Sequence, residues 1–160
     1  MSTSNAFLSQ AIALAFENAE QGGRPFGAVV VKDEKLIATG INRMQADCDP
    51  TAHAELLALR AAGKALQSVR LDGCTVYASG QPCPMCFAAM RMSGITEIIF
   101  AYSNDEAEPF NLSTAKIAKE LSKPVSEQTE IRFEHCSPRD EAQLYRAWQQ
   151  KQISERQTVK

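Results

Sequence analysis

The sequence of 160 residues contains no long apolar run, no internal repeat and no low-complexity segment. Its apolar stretches fall far short of the roughly 20 residues that cross a bilayer, so we expect no membrane-spanning helix and no membrane partner. No basic segment followed by an apolar one opens the chain, which indicates a cytoplasmic protein. The net charge is −2. Without an excess of basic residues, we do not expect nucleic acid to be a partner.

The composition is ordinary for one compact domain over residues 1–160, with 44% hydrophobic and 22% charged residues. The five cysteines are an odd number, and disulfides are rare in cytoplasmic proteins. Two of the cysteines form a C-x-x-C pair. We expect the other three, Cys48, Cys74 and Cys136, to remain thiols without a catalytic role.

Two short motifs contain residues that bind metals, His53-Ala54-Glu55 and Pro82-Cys83-Pro84-Met85-Cys86. Structural zinc sites use four protein ligands, whereas a catalytic site keeps one position open for water. His53, Cys83 and Cys86 therefore predict a catalytic zinc site with one Zn²⁺ per chain. Glu55 lies two residues from the histidine and is the predicted catalytic group, which moves protons to and from a water that the metal activates.

The cysteine spacing suits the start of a helix. Cys83 and Cys86 are three residues apart and share one helical face, and Pro84 is tolerated in a first turn. The positive end of the helix dipole favours ionised thiols there. His53 and Glu55 are two residues apart and converge only at a helix end, for which Asp49 or Thr51 is the expected N-cap.

Charge explains why the glutamate is needed. Zinc held by two thiolates and a neutral imidazole carries no net charge, so it acidifies water less than a site with three histidines. A lone C-x-x-C pair can also be redox-active or accidental, and a lone histidine is usually an ordinary polar residue. The two motifs together are far more specific, since H-x-E followed by P-C-x-x-C is the signature of zinc deaminases.

The chain resembles the cytidine deaminase-like superfamily, and within it the small bacterial guanine deaminase and nucleobase deaminase group, over most of residues 7–150. The resemblance rests on the segments PFGAVVV (25–31), DPTAHAE (49–55) and PCPMC (82–86). It implies a hydrolytic deaminase that replaces an amino group on an aromatic heterocycle with oxygen and releases ammonia. One residue departs from the pattern. Guanine deaminase-like sequences often carry glutamate where this chain has Gln81, which leaves the identity of the base open.

The resemblance also implies residues that bind the substrate. The Asn42 amide would bond the edge of the base, although this residue could be an ordinary turn asparagine. Phe26 would stack on the ring or simply be buried at a strand start, and the Ala54 backbone would contact the base near the metal. An acidic residue from the loop 103–110 would read the guanine edge, unless that loop is merely solvated.

Periodicity and turn residues predict an α/β fold, a three-layer α/β/α sandwich with a mixed sheet of about five strands. Both metal motifs fall at helix starts that follow strands. The predicted helices span 5–20, 52–64, from about 84, 114–121 and 140–151, and the predicted strands span 26–31, 36–41, 75–79, 97–101 and 130–133.

Guanine, converted to xanthine and ammonia, is the leading expectation for the substrate. Cytosine, a triazine or a pterin remains an alternative, as does adenosine in transfer RNA, for which a local patch of Arg60, Lys64 and Arg70 could supply basic charge. From a different class, the chain could be a catalytically silent zinc module used only for interaction. Glu55 argues against that, since a structural site needs no unligated carboxylate.

The resemblance further implies a homodimer in which the C-terminal segment, about residues 103–160, is exchanged between subunits. The predicted helix over 140–151 is amphipathic, and residues 122–124 offer a hinge. The alternative is that this helix packs on its own subunit. Its apolar residues are Leu144, Tyr145, Ala147 and Trp148.

Overall fold

The computed structural model describes residues 3–137 and 144–158. The chain divides into two compact units, an N-terminal unit, Met1–Lys123, and a C-terminal unit, Pro124–Lys160. The helices are α1 (Thr3–Glu20), α2 (Ala54–Leu66), α3 (Pro84–Met92), α4 (Asn104–Ala107), α5 (Ala115–Leu121) and α6 (Leu144–Thr158). The strands are β1 (Gly27–Lys32), β2 (Lys35–Ile41), β3 (Cys74–Gly80) and β4 (Glu97–Tyr102).

The N-terminal unit contains one mixed sheet of four strands in the order β2-β1-β3-β4. β1 runs antiparallel to both β2 and β3, whereas β3 and β4 are parallel. Asp33 and Glu34 form the tight turn between β1 and β2, and both have positive φ, as the turns of two-residue hairpins require. The parallel pair β3 and β4 is joined through α3, so a helix follows β3 directly and carries the cysteine motif.

Helices cover both faces of the sheet. On one face, Val30 and Val76 pack with Ala58 of α2 and Met90 of α3. On the other face, Val29 and Tyr77 pack with Ala11 and other residues of α1. Alternate residues of β1 thus enter opposite layers, because successive strand side chains point to opposite faces. The result is the predicted helix–sheet–helix sandwich.

The start of α2 lies unusually close to β2. A Cβ added to Gly40 would lie 2.1 Å from the Ala54 backbone oxygen and 2.6 Å from the Ala58 nitrogen. Only a residue without a side chain allows this approach. Gly40 therefore fixes where α2 begins, and with it the position of His53, the residue that precedes the helix.

The α/β class and the mixed sheet are confirmed, but the predicted fifth strand is wrong. Residues 130–133 form no strand, and the described part of the chain contains four strands. A β-type sequence becomes a strand only when a neighbour pairs with it, and no described strand pairs with this segment. Of the predicted helix over 140–151, residues 140–143 lie outside the described residues, and α6 extends to Thr158.

One short helix, α4, was not predicted. Ser103 and Glu106 form a capping box at its start, with the Ser103 hydroxyl accepting from the Glu106 backbone and the Glu106 carboxylate accepting from the Ser103 N–H. The S-x-x-E signature of this box is present in the sequence. Among the described residues, no helix has the length and apolar character to cross a membrane.

Candidate metal centre and active site

The two metal motifs occupy equivalent places in the fold. His53 is the N-cap of α2 and Cys83 is the N-cap of α3, both with extended backbone. The His53 side chain makes no capping bond to α2, and the Cys83 sulfur lies beside Cys86 of its own helix. Pro84 occupies the first turn of α3, as predicted. Because both helix N-termini point to the same region, the three ligands meet there.

The expected N-cap at Asp49 or Thr51 is wrong, because the Asp49 carboxylate bonds within the preceding loop instead. It accepts from the Thr51 backbone N–H at 2.8 Å and from the Thr51 hydroxyl at 2.7 Å. Arg60 of α2 also donates to the Thr51 hydroxyl at 3.0 Å. This network ties the loop to α2 and holds the chain that leads into His53.

The geometry of the three ligands fits zinc. His53 Nδ1 lies 3.4 Å from Cys83 Sγ and 3.5 Å from Cys86 Sγ. With Zn–S about 2.3 Å and Zn–N about 2.0 Å, a tetrahedral site has N···S edges of roughly 3.5 Å. All three ligand atoms lie within 4.8 Å of one another. His53, Cys83 and Cys86 can therefore hold a zinc ion and leave its fourth position for another ligand.

The two cysteines ionise unequally in the protein alone. The Cys86 thiol bonds to the Cys83 sulfur, which, with a contact from His53, lowers the pKa of Cys83 to about 4. The same bond, together with burial, raises the pKa of Cys86 well above its usual range. A bond with Cys83 also raises the pKa of His53, while burial and the charge of Arg24 lower it. One thiolate thus forms readily, and binding a cation favours loss of the second proton.

Glu55 lies beside these ligands and is only 7% exposed. Its Oε2 accepts from the Cys86 thiol at 3.6 Å. Burial, the largest influence, raises the pKa of the Glu55 carboxyl above its usual value. A carboxyl whose pKa moves toward neutrality can both accept and return protons during a reaction.

A cavity of about 210 Å³ opens onto this cluster. Of the residues predicted to bind substrate, Phe26 and Asn42 line the cavity. Ala54 is fully buried at the start of α2 and is not part of the lining, so its backbone contact stays a prediction. The lining consists of Arg24, Phe26, Asn42, His53, Glu55, Gln81, Cys83, Leu112 and Thr114.

Asn42 is held in one orientation. Its side-chain oxygen accepts from the Met44 backbone N–H at 3.2 Å, and its backbone oxygen accepts from the Asn18 amide at 3.0 Å. The oxygen and nitrogen of an amide are told apart by such bonds. With the oxygen engaged, the Asn42 Nδ2 is the donor available to a molecule in the cavity.

The acidic residues of the loop 103–110 do not line this cavity. Glu106 accepts from the Ser103 N–H in the capping box and lines a neighbouring apolar groove instead. Asp105 and Glu108 line neither. Among the described residues, Glu55 is the only carboxylate in the cavity wall.

Sequence reasoning missed three lining residues, Arg24, Leu112 and Thr114. Arg24 carried a signal, since it is a cation directly before the segment 25–31 that supports the resemblance. Leu112 carried none, because it lies in the segment between α4 and α5, and Thr114, the N-cap of α5, was expected only as the first residue of a helix. Gln81, noted as a departure, does line the cavity, and its Oε1 accepts from the Asn104 N–H at 3.0 Å.

Comparison with known proteins gives the same picture. Guanine deaminase of Bacillus subtilis (strain 168) is 39% identical over 143 residues, covering 89% of this chain and 91% of the relative. The X-ray structure of guanine deaminase from Bacillus subtilis superposes with a TM-score of 0.83 at 38% identity, covering 91% of this chain and 93% of that one.

Two further structures hold ligands. A relative in complex with 2,6-diaminopurine is 30% identical with a TM-score of 0.66, covering 71% of this chain and 64% of that one. A mutant of the same relative, in complex with 8-azaguanine, is 30% identical with a TM-score of 0.67, covering 70% of this chain and 65% of that one.

A tRNA-specific adenosine deaminase of Buchnera aphidicola is 40% identical over 102 residues, covering 62% of this chain and 68% of the relative. Residues 1–102 also match the family described as the cytidine and deoxycytidylate deaminase zinc-binding region, which includes both metal motifs. The chain therefore belongs to the cytidine and deoxycytidylate deaminase family of zinc-dependent hydrolytic deaminases.

Proposed function

We propose that this chain deaminates a free nucleobase, first of all guanine, to give xanthine and ammonia. The observation that carries the proposal is the cluster of His53, Cys83 and Cys86 beside a buried Glu55, at the end of a cavity lined by Phe26 and Asn42. An aromatic ring and an oriented amide suit a planar heterocycle with polar edges. The similarity to guanine deaminase over most of both chains favours guanine among such rings.

Glu55 carries the proton transfers of this reaction. Zinc, held by His53, Cys83 and Cys86, would supply an activated water. Glu55 takes a proton from that water while the water oxygen bonds to the carbon bearing the amino group. Glu55 then passes the proton to the adjacent ring nitrogen. It then moves a second proton to the amino group, which leaves as ammonia while the carbon becomes a carbonyl. The raised pKa of the Glu55 carboxyl suits a group that both takes and returns protons.

The size of the cavity favours a base over a nucleotide. At about 210 Å³ it is smaller than the 300–1,000 Å³ typical of ligand sites. The Asn42 amide donates to one edge of the base, and the Phe26 ring lies beside its plane in this proposal. From guanine as substrate we infer a role in purine metabolism in the cytoplasm.

Deamination of adenosine in transfer RNA is the second candidate, supported by the similarity to tRNA-specific enzymes. Binding of a tRNA requires a basic surface, and this chain provides little uncompensated basic charge in the expected patch. Arg60 pairs with Asp49 at 3.7 Å, and Arg70 pairs with Asp72 at 2.7 Å, so much of the patch expected to supply basic charge is neutralised locally. A polyanion binds best to uncompensated cations.

An ammonia-release screen separates these candidates. Zinc-loaded protein should release ammonia from guanine faster than from cytosine, a pterin, an aminotriazine, guanosine or an adenosine-containing tRNA anticodon stem. A chain that acted only on the tRNA stem would disprove the free-base proposal.

We also infer a homodimer with exchange of the C-terminal segment. In the N-terminal unit, an apolar groove of about 250 Å³ adjoins the active-site cavity, shares Phe26 and Leu112 with it, and leaves Phe16 and Phe110 64% and 72% exposed. In the C-terminal unit, Tyr145 and Trp148 are 83% and 63% exposed. Apolar surfaces of this kind mark interaction sites.

A second copy offers the matching surface for each. The boundary between the two units follows Lys123, within the predicted hinge at residues 122–124. We propose that α6 of one protomer docks in the groove of its partner and closes the active site there. Packing of α6 on its own subunit is the alternative, and it predicts a stable monomer.

A further inference from the structure

Arg24 is the one cation in the wall of the active-site cavity, within the described residues. It precedes β1 and is partly buried, and its guanidinium carbon lies 5.8 Å from the centroid of the Phe26 ring. Contact with an aromatic face limits the positions that a guanidinium adopts. Phe26 therefore helps to hold the charge of Arg24 at the cavity.

Arg24 differs from Arg43, Arg60 and Arg70 in having no acidic partner among the described residues. Arg43 makes two bonds to Asp47, and Arg70 makes two bonds to Asp72. The Arg24 backbone oxygen accepts from the Asn18 amide and from the Phe26 N–H, while its guanidinium, among the described residues, contacts the Phe26 ring. A guanidinium with five donors is thus available to a molecule in the cavity.

Two side-chain amides of the cavity wall add further donors. Asn42 presents its amide nitrogen, since its oxygen is engaged by Met44. Gln81 likewise has its side-chain oxygen engaged by Asn104, which leaves its amide nitrogen to donate. Apart from Glu55, which handles protons at the reacting amino group, no described carboxylate faces these donors. Such a wall is complementary to a ligand edge that carries acceptors.

We propose that Arg24 determines specificity by binding a carbonyl oxygen on the base, at a position other than the amino group that is removed. This inference rests on the proposed function and narrows it to oxo-amino-heterocycles, such as guanine. A charge-assisted bond between guanidinium and carbonyl oxygen is stronger than a neutral one. A base with an amino group in place of the carbonyl presents a donor to Arg24 and loses that bond.

The test compares guanine with 2,6-diaminopurine, which carries an amino group where guanine carries its carbonyl. Arg24→Gln should lower kcat/KM for guanine by about 10- to 100-fold, the effect of losing a charged hydrogen bond, and change that for 2,6-diaminopurine by less than about 3-fold. Arg24→Lys keeps the charge, so its kcat/KM for guanine should lie between those of the wild type and of Arg24→Gln. Arg70→Gln, an exposed arginine outside the cavity, is the matched control and should leave the ratio of the two bases unchanged.

Calorimetry separates this inference from the proposed function. It measures the binding of the two bases to zinc-loaded Glu55→Gln protein, with Arg24 intact or replaced by glutamine. If the wild-type chain deaminates neither base, the proposed function fails, and calorimetry still decides whether Arg24 discriminates between them. Equal losses for both bases in Arg24→Gln would overturn the inference. So would an unchanged ratio accompanied by loss of the dimer, because Arg24 would then pair with a carboxylate of a second copy.

Discussion

The N-terminal and C-terminal units differ in what they bury. The N-terminal unit has a sheet with helices on both faces and a core that includes Val30, Met90 and Ile95. In the C-terminal unit, no described side chain is buried, although it carries Ile131, Phe133 and Trp148. A segment with apolar side chains and no core of its own gains stability only from a surface elsewhere. The candidate metal centre thus lies in the unit that has a buried core, whereas the described apolar side chains of the C-terminal unit are exposed.

Removal of a metal ligand should have the largest effect, and it tests whether the N-terminal unit alone holds the metal. Cys86→Ala should lose zinc and with it all detectable ammonia release, since two ligands rarely retain the ion. Metal analysis and the activity assay measure both. Cys48→Ala, at an exposed cysteine outside the cluster, is the control. Full activity of Cys86→Ala without metal would disprove the zinc mechanism.

Truncation tests the C-terminal unit directly. A chain that ends at about residue 138 keeps His53, Glu55 and both cysteine ligands but lacks α6. We expect it to bind zinc, sediment as a monomer and lose base deamination, because the apolar groove beside the cavity would have no cover. A folded and fully active monomer would show that α6 is not needed to complete the site.

Glu55→Gln separates proton transfer from metal binding. The amide keeps the shape of the side chain but accepts no proton, so turnover should fall by about 10²-fold or more with zinc retained. Rapid-quench or ammonia assays measure turnover, and metal analysis is the control. Near-normal turnover would assign the proton transfers to another group.

Asn42→Ala should have a smaller effect, confined to the substrate. Loss of one neutral hydrogen bond to the base lowers kcat/KM by about 10-fold. Thermal unfolding is the control, because the Asn42 oxygen also accepts from the Met44 N–H. If the loss of activity were fully accounted for by a loss of folded protein, Asn42 would be a turn residue with no direct contact to the base.

The smallest effect is expected at Glu106, which belongs to the capping box of α4 and lines the apolar groove. Bonds from the Ser103 backbone and hydroxyl lower the pKa of the Glu106 carboxyl. A lowered folded-state pKa stabilises the fold above the unfolded value, near 4.3, and this stability is lost as the pH falls through the folded value. Glu106→Ala should therefore reduce stability at pH 7 and make less difference at pH 3, measured by urea unfolding of metal-free protein.

The cluster of candidate metal ligands could be predicted because its chemistry is local. His53, Cys83 and Cys86 lie in short motifs at helix starts, and the strands before them show clear patterns. The wall of the cavity was less predictable. Leu112 lies in the irregular segment between α4 and α5, which ends at Thr114, the N-cap of α5. The path of this segment depends on tertiary contacts, such as the Thr114 N–H donating to the Asn104 side chain. Sequence periodicity does not describe such a segment.

The predicted fifth strand failed for a related reason. Residues 130–133 have a suitable composition, but strand formation depends on a neighbour that the segment itself does not supply. The helices and strands predicted up to residue 121 fell within one or two residues of the observed bounds. These elements find their packing and pairing partners inside the N-terminal unit, whereas no described strand pairs with residues 130–133.

The close approach at Gly40 makes the metal centre sensitive to a residue that never touches it. Even one methyl group there, 2.1 Å from the Ala54 oxygen, would force α2 and β2 apart by about 1 Å before contacts became normal. His53 would move with the helix, while Cys83 and Cys86 would stay with α3. Catalytic geometry tolerates displacements of this size poorly. The relative position of His53 and the two cysteines therefore depends partly on how closely α2 packs on β2 at Gly40.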